Sequence, residues 1–87
     1  MTMLVILGRI HNHLAVHHGV PMSVDVLDIK RCAVIGLSRD LCNASISEMC
    51  ALTCETPESV MMFMNAWANV GEKTRGYWRR VVEIPYH

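Results

Sequence analysis

The chain offers no phosphate loop. Gly8, Gly19, Gly36, Gly71 and Gly76 each stand alone rather than in a glycine-rich run, so nucleotide binding of that kind has no support. No serine or cysteine sits in a nucleophile elbow, and the carboxylates are scattered as caps and surface groups. Catalysis is therefore not expected. Also absent is any run of the ~18 apolar residues that a membrane span requires. The stretch from Met1 to Leu7 is apolar, but it lacks a basic leader and Arg9 interrupts it, so it does not read as a signal peptide. A cytoplasmic location follows, in which Cys32, Cys42, Cys50 and Cys54 are reduced thiols.

Excess charge is missing too. Eight basic residues balance eight acidic ones, for a formal net charge of zero, whereas a nucleic-acid binder generally carries a basic face. The distribution is less even than the sum. Residues 45–71 contain Glu48, Glu55 and Glu58 and neither Lys nor Arg, while residues 72–87 hold Lys73, Arg75, Arg79 and Arg80 against Glu72 and Glu83.

Metal-ligand spacing is poor. Three residues separate Cys50 from Cys54, and nine separate Cys32 from Cys42. Structural zinc sites use tighter pairs, so these thiols read as core or near-core residues, with zinc binding or redox chemistry as the alternatives. His11, His13, His17 and His18 crowd one helix end, and His13 and His17, four apart, are placed to share a metal on one face. No Glu follows His13 as a metalloprotease motif demands. Histidines in a last turn also suit the helix C-terminus without metal; a pH-sensitive contact is a third reading. The expectation is no metal and no cofactor.

What the chain does have is apolar content. With 87 residues, one domain spanning 1–87 is expected, divided into an N-terminal helix (1–22) and a core (23–87). Hydrophobic residues make up 52%, above the usual ~45–50%. Either the core is dense or a dimer shares apolar surface, and the dimer is the reading preferred. Met3, Leu7, Ile10 and Leu14 repeat at four, three and four, the stripe of an amphipathic helix. They are the expected homodimer interface. A strand over Leu4 to Leu7 is the competing reading. Gly19 and Pro21 end this helix. Ser23 caps the next, aided by Asp25, and Val26, Ile29, Ala33, Leu37 and Leu41 line one face. Gly36 lies inside it, at a cost of about 1 kcal/mol relative to Ala.

From Ser45 onward the local signals are denser. Ser45 and Glu48 form a capping box for a short helix, with Met49 and Leu52 on one face. Cys54-Glu55-Thr56 makes a turn. Thr56 caps a second helix with Pro57 at its first position, and Val60, Met64, Trp67 and Val70 are its core stripe. Gly71 ends it as a C′ residue. Glu72–Arg75 and Tyr77–Ile84 read as two strands turning at Arg75-Gly76. Alternation then sends Tyr77, Arg79 and Val81 to one side and Trp78, Arg80 and Val82 to the other, with Trp78 as a lid over the helices.

This order, carried by Ile46, Glu48 and Leu52, by Thr56-Pro57-Glu58-Ser59-Val60, and by Asn65-Ala66-Trp67 and Val70-Gly71, resembles the winged helix-turn-helix family of DNA-binding domains. The likeness covers roughly the last half of the chain, with the preceding helix as third member. It implies a mainly α fold with a small β-ribbon, here with an extra N-terminal helix, and a short strand near Ala44–Ile46 pairing with the ribbon. It also implies duplex DNA as partner, with the second helix in the major groove and the ribbon, or wing, on the backbone. Thr56, Glu58, Ser59, Met61, Met62 and Asn65 would then face DNA from the helix, and Lys73, Arg75, Arg79 and Arg80 from the wing.

The residues themselves add a second possibility. Base edges are read by Arg, Lys, Asn or Gln, and only Asn65 and Ser59 on the second helix are suitable. Met61 and Met62 suit thymine methyl groups or a protein surface equally well. The expectations are thus a small DNA-binding transcriptional regulator, or a protein-interaction module that keeps the scaffold and has lost DNA reading. A metal or thiol sensor is a third class.

Overall fold

The computed structural model describes residues 1–18 and 24–84, and of residues 17, 18 and 24–29 the backbone alone. Five helices follow in order: α1 (Met3–His18), α2 (Val24–Cys42), α3 (Ile46–Thr53), α4 (Pro57–Ala68) and α5 (Glu72–Glu83). No strand occurs among the described residues. None of the described helices is long and apolar enough to cross a membrane. The expected endings at Gly19 and Pro21, the cap at Ser23 with Asp25, and the side chains of Val26 and Ile29 lie outside the described residues.

α2 is the central element. Ala33, Val34, Ile35, Gly36, Leu37 and Ser38 are all buried, and a helix apolar on every side is one enclosed by neighbours. The polar exception, Ser38, donates its hydroxyl to the Val34 carbonyl at 2.5 Å. One side of α2 joins the main core, where Ala33, Val34 and Leu37 meet Ile6, Ile10 and Leu14 of α1, Trp67 of α4, and Trp78, Val81 and Val82 of α5. On its other side, Ile35 packs with Ala44, Met49 and Val60, and Met3, Cys50, Phe63 and Met64 close around them. α1 is therefore not an accessory to the core. It provides three of the main cluster's residues.

α3, the turn after it and α4 form as their caps dictate. The Ser45 hydroxyl accepts from the Glu48 amide at 3.1 Å, and the Glu48 carboxylate accepts from the Ser45 amide at 3.2 Å. α3 ends at Cys54, held at φ 59°, with its amide donating to the Cys50 carbonyl. A positive φ is uncommon outside glycine. The Thr56 hydroxyl accepts from the Ser59 amide at 3.1 Å, and Pro57 opens α4. Val60 and Trp67 are buried, and Met64 and Val70 are half-buried, so the stripe falls as its spacing requires.

Three expectations fail. The wing is absent, because residues 72–83 form one helix. Its buried residues are Trp78, Val81 and Val82, spaced three and one, which puts them on one helical face. A strand would send Val81 and Val82 to opposite sides. Glu72 also sits at the positive end of the helix dipole. The strand near Ala44–Ile46 is absent as well: Ala44 is buried and Ile46 begins α3. Lastly, Gly71 is not a left-handed C′ residue. At φ −62° and ψ 151° it is the N-cap of α5, and Asn69 caps α4.

Candidate functional site

The residues expected to face DNA divide into three groups. The Thr56 hydroxyl is occupied, accepting from the Ser59 backbone amide, and Ser59 is half-buried. Glu58, Met61, Met62 and Asn65 are all exposed on the outward side of α4, with Met61 and Met62 53% and 59% accessible. These four side chains on the outward surface of α4 include no cation. Their one charge, Glu58, is in the first turn. A carboxylate suits the positive helix end, but it occupies the place where a phosphate would bind.

The third group, Lys73, Arg75, Arg79 and Arg80, lies on a helix rather than on a ribbon, which changes what the four can do together. Arg75 and Arg79 line a cleft with Asp40, Glu72 and Gly76, so carboxylates share their surroundings. Lys73 and Arg80 are exposed and seven residues apart, two turns along one face. Tyr77 accompanies them on that face, 43% accessible, and Ile84, 65% accessible, follows the helix as its C-cap. α4 packs on α2 and α3, whereas α5 packs chiefly on α1. The cations thus sit on a helix of the core and not on a ribbon beside α4.

The homodimer stripe is also placed differently. Ile10 and Leu14 retain no accessible surface and belong to the chain's own core; Met3 and Leu7 are half-buried against the two clusters. The side chains of α1 that do face solvent include Leu4, Val5 and Val16. The stripe was identified correctly as the apolar face, but α2 and α5 already cover it.

The histidines and some positions with no signal in the sequence fall into structural roles. His13 is buried, and its Nε2 lies 2.6 Å from the Tyr77 hydroxyl. Its ring makes edge contacts with Tyr77 and Trp78 at centroid distances of 5.6 and 5.5 Å. It joins α1 to α5, which is a structural task. Arg9 adds a second tie, from its guanidinium to the Val82 carbonyl. His11 is exposed, its Nδ1 lying 3.1 Å from the Lys30 ammonium; the side chains of His17 and His18 lie outside the described residues. Trp67 donates its indole N–H to Asp40 at 2.9 Å, and Arg31 pairs with Glu55 at 3.3 Å.

Among the described residues no three His, Cys, Asp or Glu side chains converge as metal ligands. The four cysteines are free thiols, and Cys54 is the exposed one. Burial pushes the Cys32 thiol above its ordinary range, because desolvation disfavours the thiolate. Its Sγ contacts the Phe63 carbonyl at 3.8 Å. The thiolate is the reacting species. Timed alkylation of the native protein, read by mass spectrometry, should therefore modify Cys54 first and Cys32 much later. Equal rates at the two positions would contradict this placement.

No protein-family model, curated protein or solved structure matches the chain.

Proposed function

We propose that this protein is an interaction module that docks another protein through the outward face of α4. The observation that carries the reading is the pair Met61 and Met62, more than half exposed on α4, in a stretch, residues 45–71, that holds neither Lys nor Arg. Methionine is unbranched and polarizable, and it recurs at adaptable binding surfaces. A face of this composition gains affinity by desolvation, not by counterion release. Duplex DNA, by contrast, is held largely through phosphate neutralisation.

The runner-up is DNA binding, supported by Lys73, Arg79 and Arg80 on α5. Fluorescence anisotropy with random and genomic duplexes over a salt series separates the two. The module reading expects no duplex binding even at low salt. It also expects a photo-crosslinking residue at position 62 to yield an adduct of one defined mass. Rebinding of that purified partner should weaken at least about tenfold on Met62→Asp, the effect of losing a buried anchor, and should respond weakly to salt. Duplex binding whose salt slope falls by roughly 0.9 for each cation removed from α5, with no protein adduct, would overturn the reading in favour of DNA.

A further inference from the structure

The outward faces of α4 and α5 have the same periodicity and opposite charge. Glu58, Met62, Asn65 and Asn69 follow one another at four, three and four, with Met61 alongside; Lys73, Tyr77, Arg80 and Ile84 follow at the same intervals. All nine are exposed. Each helix is twelve residues long, with Asn69 and Ile84 as the C-cap residues just past the ends, or about 18 Å. A four-three-four seam is the pattern by which two helices interlock side by side. The α4 seam has methionine at its centre and a carboxylate at one end. The α5 seam has Tyr77 and Ile84 as its apolar members and two cations, while Glu72 and Glu83 lie off it. The Tyr77 hydroxyl is engaged with His13, so the aromatic ring is what it has to offer a partner.

We infer that the partner of the α4 face is the α5 face of a second copy of this chain, joined head to tail. The inference rests on the reading of α4 as a protein-docking face. Within one molecule α4 packs on α2 and α3 and α5 chiefly on α1, and all nine seam residues are exposed. Neither seam is covered within the molecule, so a second copy can satisfy their complementarity. Charge also selects the arrangement. A symmetric contact of α5 with α5 would set Lys73 and Arg80 against a second pair of cations. A symmetric contact of α4 with α4 would leave Glu58 without a cation, since residues 45–71 contain none. The mixed contact pairs the Glu58 carboxylate with Lys73 or Arg80 and the methionines with Tyr77 and Ile84.

A contact of one helix with one helix is smaller than the ~800 Å² per partner of a standard stable interface. The association is accordingly weak and concentration-dependent. Because it is head to tail, each joined copy still presents one free seam, and the assembly grows or closes into a ring.

Sedimentation velocity on the full chain tests this. The weight-average mass should rise past that of a dimer as the concentration goes from about 10 to about 500 µM, and should fall only slightly with added salt, because the charge pairs orient the contact while the apolar surface holds it. Met62→Asp blocks the α4 seam and Arg80→Glu the α5 seam; both positions are exposed, and circular dichroism checks that the fold is kept. Each variant alone should be monomeric. Their equimolar mixture should give a dimer and no larger species, because one variant retains a working α4 seam and the other a working α5 seam. Monomeric wild-type protein throughout the range, association by either variant alone, or a mixture that stays monomeric would each overturn the inference. A position-62 crosslink to a different protein would also overturn it while leaving α4 a protein-docking face. Duplex binding with no protein adduct would instead remove the docking reading itself.

Discussion

Replacing Gly36 by Ala is expected to lower the melting temperature by roughly 10–20 °C, as about 2–3 kcal/mol of overpacking would in a domain of this size. A Cβ at position 36 would lie 2.1 Å from Trp67 Cγ and 2.3 Å from Cδ2. These atoms cannot swing aside. Cγ is one bond from the Trp67 Cβ, and the rest of the ring is rigid and held by its bond to Asp40. Relief requires α2 and α4 to separate. The opposite sign is expected at Gly76, where an added Cβ meets nothing within 4 Å. There the ordinary helix preference for Ala operates alone, and Gly76→Ala should gain up to about 1 kcal/mol. Thermal unfolding followed by circular dichroism compares the pair directly. A change of under about 2 °C in Gly36→Ala would show that the helices do not approach so closely. A loss of stability in Gly76→Ala would restore a tight turn at that position.

These two glycines show which parts of the fold were legible in the sequence. The caps at Ser45, Glu48 and Thr56 and the proline at position 57 use partners within three residues, so reading them needs no tertiary knowledge. The apolar stripes of α1 and α4 were equally plain. Gly36 was legible only as a helix weakness, because the reason for it, Trp67, lies thirty-one residues further on. α5 was misread because Tyr77, Trp78, Val81 and Val82 favour strands individually. The deciding fact was their arrangement: burial of residues 78, 81 and 82 against α1 requires a helical face. Local preference gave way to the tertiary requirement. The candidate surface divides similarly. Met61 and Met62 were correctly placed on the outside of their helix, since the period fixes that. The four cations of the last segment were visible as charges, but their division between a mixed-charge cleft and an open seam depends on Asp40, on another helix.

Truncating Trp78 should be the most damaging single change in the last segment, and it distinguishes a core helix from an appended wing. The indole is buried in the main cluster with Ile6, Ile10, Leu14, Val81 and Val82, and it makes edge contacts with His13 and Tyr77 at centroid distances of 5.5 and 5.3 Å. Removing a large aromatic side chain from such a site costs about 3–5 kcal/mol. A domain of this length holds about 4–13 kcal/mol in total, at roughly 0.05–0.15 kcal/mol per residue. Trp78→Ala should therefore remove roughly a quarter or more of the total stability, with Trp78→Phe intermediate because a ring still fills part of the space. Ending the chain after Gly71 should be worse, because Ile6, Ile10 and Leu14 would lose Trp78, Val81 and Val82 as neighbours at once. A ribbon laid over a complete helical core would behave otherwise, and its removal would leave a cooperative unfolding transition. Urea titration followed by helical signal makes the comparison. A Trp78→Ala midpoint within about 0.5 M of the parent, at an unchanged slope, would mean that α5 is not part of the core, whatever its local conformation.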